Sequence, residues 1–262
     1  MSIPIYIVSL ERDEVRRTKI SDSLSSLGVG FKFFNAVDAK NSDNEDIFLR
    51  KKTTGDGSTM TNGEIACTLS HQSVYQDIIN KNHKWCIILE DDVTVDHRLK
   101  LFLEGLDMER KLSKLSEDNL YILGGQKGLH DYPVLGLSFF NFISIGPIKL
   151  RRVTYNQNKI RRTCCYLISN KMCRELLSLD RRYGTYRADS WKLMKKEGII
   201  KDFYLSEFIS HPIATVDNSH LERERLLASK EKYFKKHPRT YTQLIMKKVR
   251  SWIKVSFFSL YW

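Results

Sequence analysis

A chain of 262 residues with 42% hydrophobic and 28% charged side chains has the composition of a folded protein with one large core, not of a disordered or fibrous one. Its formal charge of +12 calls for an anionic partner: nucleic acid, acidic lipid or an anionic small molecule. No stretch approaches the roughly 18 apolar residues of a membrane span and no secretory leader is read at the start, while five irregularly spaced cysteines without a C-x-x-C pair fit a reducing, cytoplasmic compartment rather than a zinc finger or disulfide framework.

Ile3 to Leu10 reads as a first strand, Val15 to Leu27 as a helix stopped by Gly28 and Gly30, and Phe31 to Val37 as a second strand. This β-α-β opening is the usual start of a nucleotide-binding α/β domain. Asp38 to Asn62 is polar and reads as a mobile excursion with one helical turn around Ile47-Phe48-Leu49. A long helix is expected from Thr61-Asn62-Gly63-Glu64, with Ile65, Leu69, Val74, Ile78 and Ile79 on its buried side, ending at Asn80 to His83.

The most informative run follows. Trp85-Cys86-Ile87-Ile88-Leu89 has the apolar continuity of a buried strand and ends in Glu90-Asp91-Asp92. Open α/β sheets bind ligands beyond the carboxyl ends of their strands. Three acids there suit a hard divalent cation, and through it a phosphate or diphosphate; the bland alternative is a strand followed by an acidic turn. In an extended segment Glu90 and Asp92 point to one side and Asp91 to the other.

Further along, a helix is expected over Leu99 to Leu115 and a strand over Leu120 to Gly125. Residues 126–160, rich in aromatics, read as an acceptor-side excursion. Thr163 to Ile168 reads as a strand, Asn170 as the cap of a helix through Leu177, and Tyr183 to Gly198 as holding a short helix with Asp189 near its start. Phe203 to Leu205 and Phe208 to Val216 read as late strand or loop, and Glu222 to Lys236 as a charged helix. Residues 244–262 interleave lysines with Trp, Phe and Tyr, a pattern expected to meet an anionic membrane surface; packing on the body or on a second subunit are the alternatives.

Four segments together resemble glycosyltransferase family 25, the bacterial lipooligosaccharide galactosyltransferases and their relatives: Ile5 to Arg12, Asn62 to His71 (NGEIACTLSH), Ile87 to Asp92 (IILEDD) and Thr163 to Ser169 (TCCYLIS). The resemblance runs from residue 3 to about residue 220. It implies a GT-A-like single nucleotide-sugar-binding domain with a Rossmann-like mixed sheet over residues 1–240, followed by the basic tail at 241–262. It also implies an inverting, metal-dependent transfer of galactose from UDP-galactose to a sugar hydroxyl of lipooligosaccharide or lipopolysaccharide, on the inner face of the bacterial inner membrane. Another hexose, such as that of UDP-glucose, stays open. The family usually has glycine where this chain has Arg162.

The resemblance implies roles for individual residues. Glu90 and Asp92 match the D-x-D pair that holds Mn2+ or Mg2+, with His211 or His220 as a further ligand. Asp189 matches the late acid that would serve as base, with helix capping as its alternative, and Trp191 would stack on an acceptor sugar. Around the donor, Ser9 and Leu10 would meet uracil or ribose, Arg12 or Arg16 phosphate, and Asp38 and Asp91 the nucleoside, with a capping or turn role as the alternative for Asp91. Asn62, Glu64 and His71 would position the donor or hold the neighbouring loop. A nucleic-acid binder is disfavoured because the basic residues are scattered, and a non-catalytic adaptor because Glu90, Asp92 and Asp189 are all present.

Overall fold

The computed structural model describes residues 3–108, 111–129, 135–213, 224, 249–250 and 253–259. Its centre is an eight-stranded sheet built from β1 (Ile5–Ser9), β2 (Lys32–Asn35), β3 (Trp85–Glu90), β4 (Asn119–Gly124), β5 (Gly136–Ile145), β6 (Ile148–Tyr155), β7 (Cys165–Ser169) and β8 (Asp202–Ile209). The order is β2-β1-β3-β7-β4-β8-β6-β5. β1 runs parallel to β2 and β3, β4 runs parallel to β8, and β7 is antiparallel to both β3 and β4. The carboxyl ends of β1, β2, β3, β4 and β8 therefore share one edge with the amino end of β7. The mixed α/β class expected from the sequence is what forms.

Strand alternation feeds two apolar layers. Ile5, Ile7, Ile87 and Leu89 pack on α1 (Glu14–Ser26) and α4 (His97–Met108). Tyr6, Val8, Cys86 and Ile88 pack on α3 (Asn62–Asn80), α5 (Asn170–Tyr183) and α6 (Trp191–Lys196). With helices on both faces β3 needs no polar side, which explains its unbroken apolar run.

Several boundaries differ from the sequence reading. The region 38–62 is a packed lobe: α2 (Glu45–Arg50) buries Phe48, which joins Met60, Ile65 and Ala66 in a small core. α4 spans His97–Met108, and Lys111–Lys114 form a 3-10 turn, so no single helix reaches Leu115. Ser169, not Asn170, caps α5, its Oγ accepting from the Met172 amide at 3.0 Å. Residues 136–155 form the β5–β6 hairpin that completes the sheet. Most of the helix expected over Glu222 to Lys236, and the boundary expected near residue 240, lie outside the described residues.

Candidate active site

The shared strand edge opens into a cavity of about 370 Å³. It is walled by the end of β1, the segment after β2, the start of α3, the acids after β3, Arg162-Thr163 before β7, Arg187 to Asp189 before α6, and His211 after β8. Nearly the whole set of elements that meets here was placed by the topology, not by proximity in sequence.

α3 begins with a capping box: Thr61 Oγ1 accepts from the Glu64 amide at 3.2 Å and Glu64 Oε2 accepts from the Thr61 amide at 3.1 Å. Glu64 Oε1 accepts in turn from Arg187 Nε at 3.2 Å. Both Glu64 oxygens are thus committed to the protein, and Glu64 shapes the wall. Asn62, expected at the donor, is exposed and outside the cavity wall, because as the first helical residue it faces away from the buried side of α3.

Glu90, still within β3, continues the alternation of Cys86 and Ile88 and so faces α3. Its Oε1 accepts from Thr163 Oγ1 at 2.7 Å and lies 3.5 Å from His71 Nε2. Asp91 is buried, accepting from Ser9 Oγ at 2.7 Å and from Arg16 at 3.2 Å. Burial pushes its carboxyl up to about 6, against the pull of Ser9 and Arg16. Arg16 reaches Asp92 as well, at 3.5 Å, so it bridges the two acids. Arg12 pairs with Asp38 at the rim, its second guanidinium nitrogen donating to Asp38 Oδ1 at 3.1 Å.

His211 arrives from the far end of the chain. A two-residue bridge between Ser210 and Thr94, with amide bonds of 2.8 and 3.1 Å, ties the end of β8 to the segment after the acids. This sets His211 Nε2 3.0 Å from Asp92 Oδ1. Its Nδ1 lies 2.6 Å from the Pro212 carbonyl, which can only accept, so Nδ1 carries a proton and Nε2 faces the acids. Burial opposes a charge on the imidazole, but Asp92 outweighs it and raises the His211 pKa; burial likewise opposes the Asp92 charge, and His211 outweighs it downward.

Glu90, Asp92 and His211 offer ligand atoms within 4.8 Å of one another. Asp92 Oδ1 is buried and makes no hydrogen bond of good geometry. A buried carboxylate oxygen that faces an imidazole, beside a second carboxylate, is a donor set that fits Mn2+, and Mg2+ less closely. His220, the other histidine expected as a ligand, lies outside the described residues.

Asp189 lines the same cavity, half-buried. Its Oδ2 accepts from the Arg162 amide at 3.1 Å, whereas Ser190 occupies the N-cap of α6, so capping is not what holds this carboxylate. Trp191 corrects the expected acceptor stacking. It is 1% exposed, with its ring edge against Tyr166 and its Nε1 donating to the Arg162 carbonyl at 2.9 Å. Both ring faces belong to the core, and its role is to fix the backbone that holds Asp189. Arg162 itself sits at φ +68°, a left-handed conformation costly for any residue but glycine, and its guanidinium donates to the Gly125 carbonyl at 3.0 Å. Gly125 is needed there, since a Cβ would meet Cys164 Sγ at 2.2 Å.

Several wall residues have no role in the sequence reading, among them Cys67, Arg187, Thr163 and Glu224. Arg187 carried a signal only in its neighbourhood to Asp189. Thr163, which orients Glu90, belongs to the TCCYLIS segment but has no role there. Glu224, whose carboxylate accepts from the Gly63 amide at 2.8 Å, carried none.

A family model described as glycosyltransferase family 25 (LPS biosynthesis protein) matches residues 2–191. A rat protein described as probable inactive glycosyltransferase 25 family member 3 is 27% identical over 125 residues, 45% of this chain and 22% of that protein. Mouse procollagen galactosyltransferase 2 is 30% identical over 121 residues, 44% of this chain and 18% of that protein. The matched region therefore spans about a fifth of these relatives' length. Among solved structures, a glycosyltransferase involved in glycosylation of the major capsid of PBCV-1 aligns with 86% of this chain and 98% of its own, at 10% identity and a TM-score of 0.39.

Proposed function

The chain belongs to glycosyltransferase family 25, and from that premise we propose that it is an inverting hexosyltransferase, moving galactose from UDP-galactose to a sugar hydroxyl of a lipooligosaccharide or lipopolysaccharide. The observation that carries the reading is the convergence of Glu90, Asp92 and His211 with Asp189 on one cavity at the ligand-binding edge of the sheet. The cavity volume of about 370 Å³ is within the range of small-molecule sites.

In this reading Asp189 takes the proton of the acceptor hydroxyl as that oxygen bonds to the anomeric carbon. The bond from that carbon to the diphosphate oxygen breaks on the opposite side, and UDP leaves with the bonding pair. The Arg162 amide holds one Asp189 oxygen, which aims the other. Glu90, Asp92 and His211 would hold a Mn2+ or Mg2+, which would supply positive charge to the leaving diphosphate. Arg16, beside Asp91 and Asp92, favours their charged forms and adds a second positive group. Arg12 and Asp38, paired at the rim, and Ser9 and Leu10 at the end of β1 line the nucleoside side.

The membrane assignment is also part of the proposal: peripheral, on the cytoplasmic face of an inner membrane. Among the described residues no helix is long and apolar enough to cross a bilayer. The helical tail residues support surface contact: Ile253 and Phe257 are exposed while Phe258 stacks on Tyr155 of β6.

The test is UDP release from a panel of UDP-sugars with and without Mn2+. Asp92→Ala should abolish metal-dependent donor binding. Asp189→Ala should leave donor binding intact and lower transfer by about 10²–10⁴. Near-normal transfer by Asp189→Ala would remove it as the base. No turnover or binding of any UDP-sugar with metal present would sink the reading as a whole, and would align the chain with its relatives described as inactive.

A further inference from the structure

A second group of ligand atoms lies deeper in the same wall. Cys67, His71 and Glu90 each place one within 4.8 Å of the others. Cys67 and His71 are one turn apart on α3, the i, i+4 spacing that aims two side chains at one point. Glu90 comes to them from β3, on the strand face that packs against α3.

His71 makes this more than a chance cluster. It is 1% exposed. Its Nδ1 is 2.7 Å from Tyr166 Oη, which is itself 2.9 Å from Tyr75 Oη. Its Nε2 is buried, makes no hydrogen bond, and lies 3.5 Å from Glu90 Oε1. A buried nitrogen without a partner is costly. An imidazole pinned through one nitrogen, with the other aimed at a carboxylate and near a thiol, has the build of a metal ligand with its outer-shell partner in place.

The two groups differ in chemistry. Glu90, Asp92 and His211 offer no sulfur and suit a hard cation. Cys67, His71 and Glu90 offer thiolate, imidazole and carboxylate, the donor set of a borderline-soft ion such as Zn2+, with a fourth position left for water. We propose that Cys67, His71 and Glu90 form a second cation station, selective for zinc-class ions. Because Glu90 belongs to both groups, zinc at the deeper station draws that carboxylate away from the outer one. Zinc and manganese therefore oppose each other in this cavity. Binding replaces the Cys67 S–H bond with a sulfur–metal bond and releases one proton to solvent. The inference rests on side-chain geometry and not on the identity of the sugar donor.

The probe is Co2+ alone, titrated into the metal-free full chain. A thiolate-to-cobalt charge-transfer band in the near ultraviolet should saturate at one equivalent and be discharged by Zn2+. It should vanish in Cys67→Ser and persist in Asp92→Ala. Should Cys67→Ser fail to fold by circular dichroism, His71→Gln, which keeps a polar group toward Tyr166, should weaken cobalt binding by about tenfold or more. Absence of the band from the unaltered chain, or its survival in Cys67→Ser, would overturn the proposal. Loss of the band in Asp92→Ala would show one merged site in place of two. UDP-sugar turnover is not read in this experiment, so its outcome stands apart from that of the transferase reading.

Discussion

At the scale of single residues, Asp91 changes most between sequence and structure. Alternation sets it apart from Glu90 and Asp92, but β3 ends at Glu90 and Arg16 bridges Asp91 to Asp92, and Asp91 is built into the protein through Ser9 and Arg16. Burial raises its carboxyl to about 6, so the folded state holds this proton more tightly than the unfolded chain does. The stability that protonation brings is full below the ordinary value near 4 and is lost as pH rises through about 6. At pH 8 the ionised form then costs on the order of 3 kcal/mol. Asp91→Asn should therefore raise the stability of the metal-free protein at pH 8 and shrink its advantage toward pH 4, as read by urea unfolding across that range. A variant less stable than the parent at pH 8 would refute this account of Asp91. Arg162 gives a second residue-scale test. At φ +68° an alanine pays the left-handed penalty and a glycine does not. Arg162→Gly should be more stable than Arg162→Ala by about 1 kcal/mol in thermal unfolding, the reverse of their order in a helix; equal stability would mean that the backbone relaxes when the side chain is removed.

At the scale of elements, the legible parts are those whose local pattern and tertiary fate agree. The β-α-β opening, α3 with its capping box, and β3 with its acids all follow from residues close in sequence. Where tertiary structure decides, the sequence is silent. His211 meets Asp92 only because β8 lies beside β4 and Ser210 then pairs with Thr94. Arg187 reaches Glu64 across 123 positions. The hairpin at 136–155 was hidden for a different reason. Its register passes from Leu137 opposite Val153 to Phe142 opposite Arg151, so residues 138–141 of β5 face residue 152 alone. Ser138 is buried and its Oγ accepts from the Asn141 amide at 2.9 Å, which staples this bulge. Alternation fails across a bulge, so no period-2 signal marks the strand.

At the scale of the whole molecule, that bulge changes how the excess positive charge is read. β5 is one of the sheet's two edge strands, and it presents Phe139 at 50% and Phe140 at 74% exposure. Arg151 lies over the Phe139 ring at 5.3 Å and Lys149 over Phe142 at 4.9 Å. The tail helix docks on the same hairpin through Phe258 and Tyr155, stacked at 5.5 Å. One side of the tail packs on the body, the first alternative to membrane contact, while Val249, Ile253 and Phe257 stay exposed beside Arg250 and Lys254. Edge strands of this length invite pairing with other chains unless charge or bulges blunt them, and here both do. Aromatic rings with cations set around them suit the headgroup region of an anionic bilayer. Deleting residues 244–262 would uncover Tyr155 and confuse loss of binding with loss of stability. The cleaner variant combines Phe139→Ser and Phe140→Ser with Ile253→Ser and Phe257→Ser. In sedimentation with phosphatidylglycerol vesicles its affinity should fall by at least about tenfold, since a 1.4 kcal/mol loss alone accounts for that much. Salt should weaken the parent's binding, and phosphatidylcholine vesicles should bind it poorly. Turnover of a soluble acceptor should be unchanged, because none of the four side chains lines the cavity. Binding that is equal on neutral and anionic vesicles, or indifferent to the four substitutions, would detach both the bulge and the tail from the membrane.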